Sequence, residues 1–115
     1  MVNLAGSYPK CKSAQQVAKE EGISLKYLER IFGILRRNHL VVSHKGKSGG
    51  YILAKKPNAL CAGEIIEALE GTIAPMGCDS AQCAQKNNCA SSKVWHVLEQ
   101  QIRKTLYSIK LQSLI

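Results

Sequence analysis

The spacing of apolar residues changes period at position 40, and that change leaves few folds open to the chain. From Ala14 to Leu35 the apolar positions recur at helical intervals: Ala14, Val17 and Ala18, then Leu25, Leu28, Ile31, Phe32 and Leu35. Gly22 interrupts the run, and Ser13 and Ser24 stand where each helix needs an N-terminal cap. From Leu40 the pattern shortens to two β-rich runs, Leu40–Ser43 and Tyr51–Ala54. Between them lies the turn Lys45-Gly46-Lys47-Ser48-Gly49-Gly50, and Pro57 stops the second run.

Helix, tight Glu21-Gly22-Ile23-Ser24 turn, helix and glycine-rich hairpin follow one another in the order of a winged helix-turn-helix. A glycine at the turn frees the backbone to bend sharply between two steeply packed helices. Upstream, Val2, Leu4 and Ala5 resemble the last apolar turn of a helix, ended by Gly6 and the Ser-Tyr-Pro turn. Downstream, Ala62–Leu69 reads as a helix with Ile65, Ile66 and Leu69 apolar, closed by Gly71. Residues 72–90 have no periodicity. Residues 91–108 are again helical, with Val94, Trp95, Leu98, Ile102, Leu106 and Ile109 in one stripe, and LQSLI adds a last turn. The expected class is mainly α with a small β-hairpin wing. The head spans residues 1–71, a cysteine loop 72–90, and a C-terminal helix 91–115. At 115 residues there is material for one modest core. No apolar run reaches the roughly 20 residues of a membrane span, and the N-terminus lacks a secretory signal, so a cytoplasmic protein is expected.

The net charge of +8 is informative by position. Residues 1–56 carry 11 Lys/Arg against 3 Asp/Glu, whereas residues 57–115 carry 5 of each. A basic front half beside a neutral back half fits a polyanion partner, since neutralising phosphates releases counterions. A solvated basic face would account for the charge equally well. The hairpin directly after the helix pair favours DNA. Ser24, Lys26, Tyr27, Glu29, Arg30 and Arg37 lie on or at the start of the second helix, off its apolar face, where they can reach base edges or phosphates in a major groove. Lys45, Gly46, Lys47, Gly49 and Gly50 form a wing tip able to approach a backbone or minor groove. Single-stranded RNA is a weaker match, because no aromatic stacking surface is evident.

The loop reads Cys78-Asp-Ser-Ala-Gln-Cys83-Ala-Gln-Lys-Asn-Asn-Cys89. Its gaps of four and five residues are wider than the Cys-x-x-Cys of zinc knuckles and thioredoxin-like sites. Three soft thiolates suit iron–sulfur or zinc; free or redox-active thiols are the alternative. Both metals need a fourth ligand, which the loop does not supply. Cys11 and Cys61 stand apart and read as structural. There is no phosphate-cradling loop, carboxylate cluster or Ser/His arrangement, so the sequence points away from an enzyme.

These motifs together resemble a bacterial family. The segment GISLKYLERIFGILRRNHLVVSHKGKSGGYILAKKP, the helix AGEIIEALEG, the C-x4-C-x5-C loop and the Trp95-containing helix are similar to the Rrf-type winged-helix regulators (the IscR-, NsrR- and CymR-like proteins). The resemblance implies a homodimeric transcriptional regulator, a repressor, on a pseudo-palindromic duplex operator, with Val94, Trp95, Leu98, Ile102 and Leu106 between subunits. It also implies that Cys78, Cys83 and Cys89 ligate an iron–sulfur cluster, most often [2Fe–2S], whose state switches operator affinity. Tyr51 is expected to anchor the wing rather than touch DNA. Two departures stand out. Family members with a histidine fourth ligand carry it three residues after the third cysteine, where this chain has Ser92; His96 lies one helical turn further on. Relatives also carry about a full helix before the residues matching Asn3-Leu4-Ala5, so a head shortened at its N-terminus is expected. Two other readings stay open: a cluster-free repressor sensing thiol oxidation or a protein partner, and, more remotely, a small thiol redox or metal-trafficking protein.

Overall fold

Gly22 adopts a left-handed conformation (φ 66°, ψ 33°) that ends one helix and lets the next leave at a steep angle. The computed structural model describes residues 1–71, 73 and 90–115; Cys78, Cys83 and Cys89 lie outside the described residues. The elements are α1 (Val2–Ser7), α2 (Ala14–Glu21), α3 (Leu25–Arg37), β1 (Val41–His44), β2 (Gly50–Leu53), α4 (Ala62–Glu70) and α5 (Ala90–Ser108). Short 3-10 turns cover Pro57–Ala59 and Leu111–Leu114. The mainly helical class with one hairpin is therefore observed. Boundaries move by a residue or so: Gly6 lies inside α1, and both strands sit one residue away from the sequence reading.

Serine caps start both helices of the pair. The Gln16 N–H donates to Ser13 Oγ at 3.1 Å, and the Tyr27 N–H donates to Ser24 Oγ at 3.1 Å. Their apolar faces then meet: Val17 and Ala18 of α2, and Leu28, Phe32 and Leu35 of α3, enter one core with Leu4, Val41, Leu53, Leu60 and Leu111. Phe32 is the largest side chain buried almost completely, at 2% exposure. The hairpin is antiparallel, pairing Val41 with Leu53 and His44 with Gly50. Only its base is buried, so the wing projects from the core.

α3 closes on a residue other than glycine. His39 has φ 59°, its N–H donates to the Arg36 carbonyl at 3.0 Å, and the Leu40 N–H donates to the Leu35 carbonyl at 2.9 Å. This is a Schellman closure, with buried Leu40 against buried Leu35 as its apolar contact. A side chain in the left-handed region costs about 1–2 kcal/mol relative to the right-handed one, a cost glycine avoids. His39→Gly is therefore expected to stabilise the protein by about 1 kcal/mol, read as a higher urea midpoint at unchanged m-value. A lower midpoint would show that the imidazole makes contacts outweighing the backbone strain.

Candidate nucleic-acid interface

Because Leu28, Phe32 and Leu35 turn into the core, α3 presents its other faces outward. Lys26, Glu29, Arg30 and Arg37 are exposed, and Tyr27 is 57% exposed despite its aromatic ring. Ser24 is exposed, with its hydroxyl engaged in capping. Gly33 has open space around the position of a Cβ, so no packing contact demands a glycine there. Among the described residues, ion pairs join Lys12 to Glu20 and Arg103 to Glu67 and Glu99; none uses Lys26, Arg30, Arg37, Lys45 or Lys47. Five exposed cations thus keep their charge uncompensated at close range, which suits a polyanion surface.

Backbone geometry shapes the wing tip. Gly46 (φ 111°) and Gly50 (φ 141°) lie in the region where side chains are strained. A Cβ at Gly49 would collide with the His44 carbonyl, and one at Gly50 with the Lys12 carbonyl. The paired glycines therefore make the tight turn, while exposed Lys45 and Lys47 carry its charge. Tyr51 anchors the wing: its ring lies 4.3 Å, centroid to centroid, from Phe32, tilted by 33°. Arg36, absent from the sequence-derived set, donates to Ser43 Oγ at 3.4 Å and links the end of α3 to β1.

α5 joins the head at one end. The Tyr107 ring covers Gly63 of α4 so closely that a Cβ there would collide with it. Its hydroxyl donates to Glu67 Oε2 at 2.6 Å, and Arg103 pairs with Glu67 and lies 5.8 Å from the Tyr107 ring centroid. Backbone hydrogen bonds from Ala62 to Ile109 (2.9 Å) and Leu111 to Leu60 (2.8 Å) tie down the chain after α5. Further along α5, apolar side chains stand in the open: Val94 is 63%, Val97 60% and Leu98 40% exposed, while Trp95, Ile102 and Leu106 are half-buried. Val97 was missing from the sequence-derived stripe and extends its open part. The sequence gives it no label, because periodicity defines a stripe without saying where the head stops covering it.

Among the described residues no group of three or more His, Cys, Asp or Glu could hold a metal. His96 lies exposed on α5 and Ser92 is buried. Cys61 caps α4: its N–H donates to Glu64 Oε2 at 3.1 Å, and its side chain accepts from the helix backbone in return. No described helix is long and apolar enough to cross a membrane.

Residues 1–115 match the sequence profile of the Rrf2 family, described as an iron-dependent transcriptional regulator. The HTH-type transcriptional regulator IscR of Yersinia pseudotuberculosis is 35% identical over 100 residues, covering 86% of this chain and 61% of that protein. The chain thus spans less than two thirds of the length of this relative. Among solved structures, CymR (YrzC), the global cysteine regulator of B. subtilis, superposes with a TM-score of 0.82 at 31% identity, covering 98% of this chain and 84% of that one. T. potens IscR gives 0.79 at 30% identity, covering 98% and 75%.

The α4–α5 joint carries a pH signature. Hydrogen bonding to Glu67, followed by desolvation, raises the Tyr107 phenol above its ordinary range. A raised folded-state pKa stabilises the fold fully below the unfolded value of about 10, and that stability is lost as pH rises through the folded value. Tyr107→Phe is expected to flatten the fall in urea midpoint above about pH 10, where the wild type loses stability. Parallel curves for the two proteins would remove Tyr107 as the titrating group.

Proposed function

Because the chain belongs to the Rrf2 family of transcriptional regulators, we propose that it acts as a homodimer whose two heads read half-sites of a duplex operator under control of the cysteine loop. The observation that carries this reading is the outward face of α3, where Lys26, Arg30 and Arg37 are exposed and free of ion pairs while Leu28, Phe32 and Leu35 fill the core. Such a helix fits a major groove, with Tyr27 and Glu29 available to base edges and Ser24 beside the phosphates. Lys45 and Lys47 of the wing then neutralise the flanking backbone, and Gly46, Gly49 and Gly50 keep its tip slim.

The exposed apolar stripe of α5 supports the homodimer reading. Val94 and Leu98 are exposed in the single chain, and with Trp95, Ile102 and Leu106 they form a stripe that a second α5 would cover. A two-fold pair places the recognition helices about 34 Å apart, the span of one DNA turn.

Cys78, Cys83 and Cys89 fit three thiolate positions of an iron–sulfur cluster, most often [2Fe–2S] in this family, and no fourth ligand is assigned. When bound, such a cluster supplies a redox- and nitrosylation-sensitive charge in the connection between α4 and α5. Ser92 favours a second reading. It stands where relatives with a histidine ligand carry that residue, so thiol oxidation or a partner protein could set the state of the loop without a cluster.

Selection from a random duplex pool with the full chain tests the regulator reading. An enriched pseudo-palindrome is expected, with Lys45→Ala and Lys47→Ala each lowering the slope of log affinity against log salt by about 1.8, one phosphate contact in each subunit. Leu98→Glu is expected to yield monomers and weaken operator binding by about 100-fold through lost avidity. Failure to enrich any duplex would sink the regulator reading. An anaerobic absorption spectrum with iron and sulfide assays separates the loop readings: visible bands with matched iron and sulfide support the cluster, and colourless iron-free protein supports the thiol switch.

A further inference from the structure

Lys12 belongs to the basic half of the chain, yet its charge is spent inside the protein. Its ammonium donates to Glu20 Oε2 at 2.6 Å and to Asn3 Oδ1 at 2.8 Å, and its side chain is 19% exposed. The Asn3 amide in turn donates to Glu20 Oε2 (2.9 Å) and Glu21 Oε1 (2.8 Å), so α1, the lead-in to α2 and the end of α2 share one knot. These hydrogen bonds, that from Lys12 foremost, hold the Glu20 carboxyl below its usual range.

The backbone of the same residue carries the wing. The Lys12 N–H donates to the Tyr51 carbonyl at 3.0 Å, and the Tyr51 N–H donates back at 2.7 Å, an isolated antiparallel bridge alongside β2. Gly50 meets the Lys12 carbonyl so closely that no side chain fits. Tyr51 also rests on Phe32 of α3. One residue therefore connects the wing to two helices, its side chain reaching α1 and α2 while its backbone grips β2.

We propose that Lys12 is a positioning residue for the wing, fixing its angle to the recognition helix through the Glu20–Asn3 knot and the Tyr51 bridge, without touching DNA. This rests on the DNA-binding reading above and adds to it a residue that charge counting would place among the phosphate contacts. A two-stranded hairpin is marginal alone, so its direction depends on what grips its base. Lys12 and Tyr51 supply that grip.

The test is a double-mutant cycle on the duplex enriched by the wild-type protein. Lys12→Met is expected to weaken binding about tenfold in the wild-type background and less than twofold when Lys45→Ala and Lys47→Ala are already present. Its salt slope should fall in the wild-type background and stay unchanged once both wing lysines are absent, and Lys12→Arg should restore affinity. Glu20→Gln, which breaks the pair from the exposed side, should repeat the pattern and serves if Lys12→Met does not fold. Equal losses with and without the wing lysines would overturn the proposal, as would a slope lowered by about 1.8 in the background lacking both wing lysines, the mark of a direct phosphate contact in each subunit. A wild-type protein that enriches no duplex would instead overturn the DNA-binding reading beneath it.

Discussion

The contact between Tyr51 and Phe32 is the constraint on which the head depends. Phe32 is the inward anchor of α3, and Tyr51 is the one aromatic residue of the hairpin, so their tilted contact sets α3 and the wing in one frame. An aromatic pair adds about 0.5–1.5 kcal/mol beyond area burial, a modest amount beside its effect on placement. Around it the backbone closes ranks: Tyr51 bridges to Lys12, Gly50 yields space to the Lys12 carbonyl, and Arg36 reaches Ser43 across the other strand. So small a head keeps its shape because each exposed element is gripped at its buried base.

The second joint, between α4 and α5, has a different character. It is polar and aromatic, built from Tyr107 on Gly63 with Glu67 and Arg103 about the ring. Backbone hydrogen bonds on either side of Cys61 pin the chain that follows α5. The cysteine loop connects the two helices of this joint in sequence. In the proposed switch, a change of charge or bonding in that segment enters α5 at its start, while the Tyr107 joint holds its far end to α4.

Much of the fold was legible because local rules agreed. Serine caps at 13 and 24, the glycine at 22, helical spacing up to Leu35 and the turn-rich segment after His44 each act within a few residues, and each appears in the structure near its expected place. Strand edges slipped by a residue because hairpin register depends on which residues face the core, which alternation over four residues fixes weakly. The left-handed closure at His39 carries no sequence signal for a related reason. A left-handed helix end is signalled by glycine or asparagine, and here the pairing of Leu40 with Leu35 imposes it on a histidine.

By itself the sequence determined the order of elements, the basic and neutral halves, the outward residues of α3 and the presence of three thiols in the 72–90 segment. These are properties of composition and of spacing within one element, where neighbours in sequence are neighbours in space. Only the tertiary structure decided that Lys12 is consumed by Glu20 while Lys45 and Lys47 remain unpaired, that the wing glycines serve backbone packing, and that Glu67 and Tyr107, 40 residues apart, meet at the base of α5. The reason is physical: whether a charge is free depends on which groups the fold brings within hydrogen-bonding reach, and sequence distance carries no record of that.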